Sequence, residues 1–84
     1  MNFEELSYKS KIKICELFYR DEWKINDPTS PLYPSKIYFS WTKVIFETRS
    51  GEKETQRFNV KNWYEDNLKI IRKEKLLEIR KNLT

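Results

Sequence analysis

The sequence predicts a small α+β domain with an N-terminal helix, an antiparallel β-hairpin or three-stranded sheet, and a long C-terminal helix packed on one sheet face. Two observations carry this prediction. Two segments with helical apolar spacing flank a central stretch that is rich in β-branched and aromatic residues. The chain also has only 84 residues, so we predict that residues 1–84 form one domain around one core.

A capping pattern at the start of the chain predicts the first helix, from Asn2 to about Trp23. Asn2 is followed three residues later by Glu5, and neither proline nor glycine interrupts the segment. Residues 9–14 also show a period of two, so a short strand is an alternative for them. As a helix, the segment has one stripe of Phe3, Leu6, Ser10, Ile14, Leu17 and Phe18 and a second of Tyr8, Ile12, Cys15, Tyr19 and Trp23.

Three prolines lie between Asn26 and Ser35. Proline fixes the backbone φ and removes a hydrogen-bond donor, so helix is excluded here and an extended loop is predicted. Neither flank is long enough to build a core alone. Residues 26–35 are therefore expected to be a connection inside the domain.

The segment from residue 36 to residue 60 carries the strand pattern, with a turn at residues 49–52. A three-residue loop around Gly51 would place Val44 opposite Phe58 and Phe46 opposite Gln56. Four apolar side chains would then face the core: Val44, Phe46, Phe58 and Val60. The apolar residues upstream alternate in the opposite phase, so in a straight strand they would face away from the core. We therefore expect either a bulge or bend near residues 41–43, or different pairings for the two strand halves.

A second capping pattern, Asn62 followed by Glu65, predicts the last helix, from Asn62 to about Lys81. No proline or glycine occurs in this segment, and apolar residues recur through it at helical spacing. They cover more than one narrow stripe, so this helix is expected to contact two surfaces.

The composition argues against an enzyme. The chain has no histidine, one cysteine and one glycine. An imidazole-based triad, a zinc site or a phosphate-binding loop needs more of these residues than the chain has. Cys15 lies in a helical stripe, where a small buried hydrophobe is expected. We predict no catalytic residues, no metal and no cofactor.

The same counts predict the cellular location. A single cysteine excludes an intrachain disulfide and fits a reducing compartment. The first residues are acidic and lack the apolar region of a signal peptide, and no apolar run approaches the length of a membrane span. We expect a cytoplasmic protein with no membrane partner, located in the host cell if a phage encodes it.

Surface aromatic and basic residues are the candidates for partner contact. Eight residues are predicted to bind a partner: Tyr33, Tyr38, Trp41, Lys43, Lys69, Arg72, Lys73 and Arg80. The aromatic members are large and rigid anchors, and the last four share one face of the last helix. Tyr8, Ile12 and Tyr19 are a second candidate, a dimer or partner stripe, if the first helix lies on the outside of the domain.

Together these features predict a non-enzymatic protein-binding module that acts stoichiometrically on a larger protein or nucleoprotein complex. The composition lacks alanine and is rich in lysine and isoleucine, as is typical of AT-rich genomes. We therefore expect an inhibitor or accessory factor of a phage or mobile element, and a bacterial defence nuclease such as a CRISPR nuclease is one candidate target. The net charge of +4 permits an alternative, direct nucleic-acid binding by a basic helix face and an aromatic strand face. A second alternative is a structural homodimer.

Overall fold

The computed structural model describes residues 3–68 of the chain. Its elements, in order, are a 3-10 helix Phe3–Glu5, α1 Tyr8–Trp23, β1 Pro34–Ser40, β2 Lys43–Thr48, β3 Gly51–Gln56 and α2 Arg57–Asp66. The strands form one antiparallel sheet in the order β1–β2–β3, so the predicted α+β class is confirmed with a three-stranded sheet. Helix α2 has ten residues and is not the long helix predicted. The predicted continuation to Lys81 lies outside the described residues.

Helix α1 begins later than predicted because the chain first makes a 3-10 turn. Phe3 is fully buried, and the Leu6 N–H donates to the Phe3 carbonyl at 3.2 Å. Ser7 then adopts an extended backbone, and its hydroxyl accepts from the Ser10 N–H at 3.3 Å, which caps the helix. The predicted start at Asn2 was wrong, and so was the strand alternative for residues 9–14, which are helical.

The buried face of α1 contains residues from both of the predicted stripes. Ile14, Cys15, Phe18 and Tyr19 are buried together, two from each stripe. They lie at i, i+1, i+4 and i+5, which is one broad helical face. Because α1 packs against both the sheet and α2, it buries a wider face than a single stripe.

The bend expected near residues 41–43 is a hairpin turn. β1 ends one residue before Trp41, and β2 begins one residue after Thr42. The two halves of the predicted strand therefore pair with each other. Ile37 lies opposite Phe46, on the face that packs against the helices.

The second hairpin has a shorter turn than predicted. A two-residue turn connects β2 to β3, so Phe46 pairs with Lys53 and not with Gln56. The predicted three-residue loop was wrong, because Gly51 already belongs to β3. Val44 and Phe46 are buried, as predicted.

Helix α2 begins at Arg57 and not at Asn62. The strand predicted to reach Val60 was wrong, because β3 ends before α2 begins. As helical residues, Val60 is buried and Phe58 is exposed, so Phe58 does not join the core as predicted. The helical spacing of Val60 and Tyr64, both buried, prevails over the two-residue alternation that suggested a strand.

Phe46 lies at the centre of the aromatic core. Its ring centroid is 4.9 Å from that of Tyr19, 5.6 Å from Trp23 and 6.5 Å from Phe18. Phe18 also meets Trp63 of α2 edge-on at 6.0 Å. These contacts hold both helices on one face of the sheet, as predicted.

Candidate partner-binding surface

Three large hydrophobic side chains are exposed at one end of the molecule. Trp41 has 93% of its surface exposed, Tyr8 63% and Phe58 60%. The fourth large exposed hydrophobe among residues 3–68 is Leu32, at 41%, in the loop before β1. Single exposed hydrophobes are ordinary on a protein surface, whereas clustered ones mark contact surfaces.

Contacts of Arg57 bring these residues together. Its backbone N–H donates to the Thr42 carbonyl at 2.7 Å, and its Nη1 donates to the Trp41 carbonyl at 3.4 Å. The start of α2 therefore lies against the β1–β2 turn. The guanidinium lies 4.7 Å from the Phe39 ring centre, and the Tyr8 ring meets the same ring edge-on at 6.2 Å. We call this group the aromatic end: Tyr8, Phe39, Trp41, Arg57 and Phe58.

The backbone of Trp41 is strained. Its φ is 50°, in the left-handed region that costs a bulky residue roughly 1–2 kcal/mol. Of the two turn residues only Trp41 has a positive φ, as in type II′ hairpin turns, whose first position favours glycine. The ring is almost fully exposed, so its burial within the domain offsets little of this strain.

The charges at the aromatic end favour the binding of an anion. Glu4 Oε2 lies 3.5 Å from Arg57 Nη2 and 3.6 Å from Lys11 Nζ, both longer than a strong charge-assisted hydrogen bond. The Nε of Arg57 is buried and has no acceptor within residues 3–68. Helix α2 has Arg57 in its first turn and Glu65 and Asp66 in its last, the reverse of what the helix dipole favours.

The opposite end of the sheet is tied to the proline-containing loop. Arg49 Nη2 donates to the Thr29 carbonyl at 2.6 Å, and the Ser50 N–H donates to the Pro31 carbonyl at 3.2 Å. We call residues 49–50 together with loop 24–33 the tethered end. Its turn uses side-chain and backbone donors within the domain, so fewer of them are left for a partner.

Asp27 stabilises this loop from within. Its Oδ1 accepts from the Thr29 N–H at 3.0 Å and from the Thr29 hydroxyl at 2.7 Å, which is an Asx-type turn. The backbone bond first, and the hydroxyl bond second, lower the pKa of the Asp27 carboxyl. The charged form is therefore the one that fits the loop.

The structure separates the aromatic residues that were predicted to bind a partner together. Tyr33 lies in the loop of the tethered end, where burial first and Glu16 second raise the pKa of its hydroxyl. Tyr38 lies on the sheet face away from the helices, and burial followed by two nearby carboxylates raises the pKa of its hydroxyl. Of the three predicted aromatic contacts, Trp41 alone lies at the aromatic end.

The sheet face away from the helices is mainly charged. It carries Lys36, Lys43, Glu47, Glu52 and Glu54 around Tyr38 and Ile45. The predicted contact residue Lys43 is placed next to the β1–β2 turn, where its Nζ pairs with Glu54 at 3.0 Å. A stacking platform for bases combines several exposed rings with basic surroundings. This face has one ring and more carboxylates than amines.

Of the predicted dimer or partner stripe, Tyr8 alone is exposed. Ile12 is half-buried, and Tyr19 is fully buried, where its hydroxyl donates to the Leu32 carbonyl. Helix α1 therefore has no continuous exposed stripe along these three positions, because the Tyr19 side of the helix belongs to the core. The four basic residues predicted to bind a partner from the last helix lie outside the described residues: Lys69, Arg72, Lys73 and Arg80.

Cys15 is a core residue, as predicted. It is fully buried, and burial raises the pKa of its thiol to about 12, against a smaller lowering effect of Arg57. The thiol is therefore protonated and unreactive at neutral pH. Within residues 3–68, no group of three or more carboxylates and cysteines could hold a metal ion. Nor is any helix in that range long and apolar enough to cross a membrane.

Three residues of the aromatic end were not among the predicted contact residues: Phe39, Arg57 and Phe58. Arg57 and Phe58 were assigned to a strand, with Phe58 in the core. The sequence does hold a signal for the helix, since Val60, Tyr64 and Leu68 recur at four-residue spacing. Phe58 lies two residues before Val60, on nearly the opposite side of the helix, so this pattern places it on the outer side.

No protein family, curated protein or solved structure matches this chain. What the chain does must therefore be inferred from its own residues.

Proposed function

We propose that this chain is a non-enzymatic protein-binding module that acts by stoichiometric contact, with the aromatic end as its contact surface. The observation that carries the proposal is the near-complete exposure of Trp41 on a strained turn. Exposing a tryptophan at a position that favours glycine lowers the stability of the free domain. A partner that buries the ring accounts for its presence, since tryptophan, tyrosine and arginine dominate the energetic centres of protein interfaces.

The placement of the backbone beneath the rings supports the same proposal. The backbone of the turn is held by two hydrogen bonds from Arg57, and the Tyr8 ring meets the Phe39 ring edge-on. A surface whose backbone is already in place loses less conformational entropy when a partner binds. The aromatic end is therefore suited to fill a pocket on a larger protein.

A stoichiometric inhibitor or accessory factor of a phage or mobile element is one form of this proposal. Such a protein needs no catalytic groups, because occupying a surface of its target is sufficient. A host defence nuclease is a candidate target of this kind, reached in the cytoplasm of the host cell.

The proposal is tested by selecting short random peptides on the immobilised chain and measuring their affinity for variants. Trp41→Ala and Phe58→Ala are each expected to weaken the selected peptides by about 2 kcal/mol or more, roughly a thirtyfold rise in Kd. The matched control is Leu32→Ala, which removes the large exposed hydrophobe of the tethered end and is expected to leave Kd unchanged. Thermal unfolding of each variant confirms that the domain is intact.

Peptides that bind wild type and Trp41→Ala equally would refute the proposal. So would a selection that yields no binding peptide at all. A homodimer held by the aromatic end would be revealed by a molecular mass that halves in Trp41→Ala, and this outcome also contradicts a module for a larger partner.

A further inference from the structure

We infer that Arg57 is the charged anchor of the aromatic end, and that the partner presents a carboxylate to it from an acidic segment that also carries large apolar side chains. This inference rests on the proposed function and names the chemistry of the partner. It is carried by the hydrogen-bonding state of the guanidinium, by the disposition of charge around it and by the rings beside it.

The guanidinium of Arg57 is poorly satisfied within the domain. Its Nη1 reaches the Trp41 carbonyl at 3.4 Å, its Nη2 reaches Glu4 at 3.5 Å, and its Nε is buried without an acceptor within residues 3–68. A guanidinium has five N–H donors in a planar fork that matches a carboxylate bidentately. The side chain remains about one-third exposed, at 33%. Its Nη atoms are therefore within reach of a carboxylate from outside.

The surrounding helices add positive potential at the same place. Both α1 and α2 begin at the aromatic end, and neither has an acidic residue in its first turn. Lys11 lies close by, paired with Glu4, while Glu65 and Asp66 stand at the far end of α2. A helix start carries a partial positive charge that an anion stabilises. Glu4 meets part of this preference in the free domain, and a bound carboxylate would meet more of it.

The rings beside Arg57 define the rest of the partner segment. Phe39 lies against the guanidinium, and the Tyr8 ring meets Phe39 edge-on. Trp41, whose carbonyl accepts from Arg57, and the next residue along α2, Phe58, are exposed. When apolar side chains of a partner cover these rings, water leaves the ion pair and its attraction strengthens. A carboxylate flanked by aromatic or aliphatic residues is the chemistry that matches this arrangement.

A carboxylate fits the site better than a nucleic-acid phosphate does. Residues 3–68 carry eleven basic and eleven acidic side chains, so the described domain has no excess charge to attract a polyanion. Nucleic-acid binding draws its affinity from several phosphate contacts at once, whereas the aromatic end centres on one guanidinium. Glu4 already places a carboxylate beside that guanidinium, which indicates that this group is accepted there.

The test uses the peptides whose binding to the full chain is lost in Trp41→Ala. They are expected to be enriched in Asp and Glu next to aromatic or aliphatic residues. Each is then made in two forms, one with its carboxylates and one with Asp→Asn and Glu→Gln replacements. Neutralising the peptide is expected to weaken binding to the wild-type chain roughly ten- to hundredfold, the effect of losing a hydrogen-bonded charge.

Variants of the chain assign this loss to Arg57. In Arg57→Gln the acidic and neutral peptides are expected to bind about equally, and Arg57→Lys is expected to keep only part of the difference because lysine lacks the planar fork. The matched control is Lys61→Gln, which removes a basic residue one turn further along α2 and should retain the full difference. Because the peptide series on the wild-type chain needs no variant, loss of folding in Arg57→Gln would not weaken the test.

Three results would overturn the inference. Trp41-dependent peptides that are neutral or basic, or acidic and neutral forms that bind the wild-type chain equally, would leave the proposed function standing without a carboxylate. Arg57-dependent binding of an oligothymidylate that is tighter than that of the acidic peptides would assign the site to phosphate. A selection with no Trp41-dependent peptide would remove both the inference and the proposed function.

Discussion

The two hairpin turns of the sheet meet a similar backbone requirement with different residues. After the β2–β3 turn the positive φ belongs to Gly51, the first residue of β3, at 127°, and in the β1–β2 turn it belongs to Trp41, at 50°. The chain has a single glycine, which can adopt such a φ without strain. The chain thus has an unstrained turn where loop and sheet are joined, and a strained one where an aromatic ring is displayed.

The two ends also differ in what their hydrogen bonds hold in place. At the tethered end the side chain of Arg49 and the backbone of Ser50 both bond to the loop. At the aromatic end Arg57 holds the backbone carbonyls of the turn, while the Trp41 ring is left exposed. We propose that the tethered end contributes mainly to stability and the aromatic end mainly to binding. Three predictions test this division.

The largest effect is expected from removing the hydroxyl of Tyr19. This buried group donates to the Leu32 carbonyl, so Tyr19→Phe is expected to lower the free energy of unfolding by about 1–2 kcal/mol. Tyr8→Phe makes the same change on an exposed side chain of the aromatic end. It is expected to change the free energy of unfolding by less than about 0.5 kcal/mol. Urea unfolding of both variants measures the difference. Equal effects would show that the two ends contribute alike to stability.

A smaller effect, of opposite sign, is expected at Trp41. Asparagine tolerates a positive φ better than tryptophan, so Trp41→Asn is expected to raise the free energy of unfolding by up to about 1 kcal/mol. Lys24, at the end of α1, has a φ of 57° and provides the control at the tethered end. Lys24→Asn should also gain stability, but only Trp41→Asn should lose peptide binding. A clear loss of stability in Trp41→Asn would mean that the ring supports the fold.

The smallest effect is expected from the titration of Asp27. The folded-state pKa of Asp27 lies below the ordinary value of 3.8. The stabilisation of the fold by the Asp27 carboxylate is therefore fully present above that value and is lost as the pH falls through the folded-state pKa. The free energy of unfolding of wild type and of Asp27→Asn should therefore converge on acidification below the ordinary value. An NMR titration of the Asp27 carboxyl carbon checks the cause directly. A midpoint at or above 3.8 would contradict it.

Local patterns predicted much of the fold and one part of the candidate site. Alternation predicted that Val44 and Phe46 are buried, and the prolines predicted the loop before β1. That loop was predicted to reach Ser35, whereas Pro34 already begins β1. Trp41 was predicted to bind a partner because of its residue type, and the structure places its side chain on the surface. The predictions of the buried strand residues and of the loop succeeded because each depends on residues close together in the chain.

The errors arose where residues distant in the chain decide the outcome. Turn length sets the register of a hairpin. β3 ends before Arg57, so that Phe58 lies in a helix instead of continuing a strand. Whether the stripe that contains Tyr19 is exposed was left open, because a helix alone does not show how many neighbours it packs against. Tyr33 and Tyr38 were grouped with Trp41 by their nearness in sequence, and the loop and the strand carry them to other surfaces.

By itself the sequence determined the fold class, the presence of two helices and a sheet between them, and the lack of histidine-based chemistry, because composition and periodicity are properties of the chain alone. Tertiary structure decided which rings are buried and which are displayed. Arg57 illustrates the difference: it is one basic residue among seventeen in the sequence. It becomes the centre of a candidate site only when its contacts with Thr42 and Phe39 bring the start of α2 against the turn that carries Trp41.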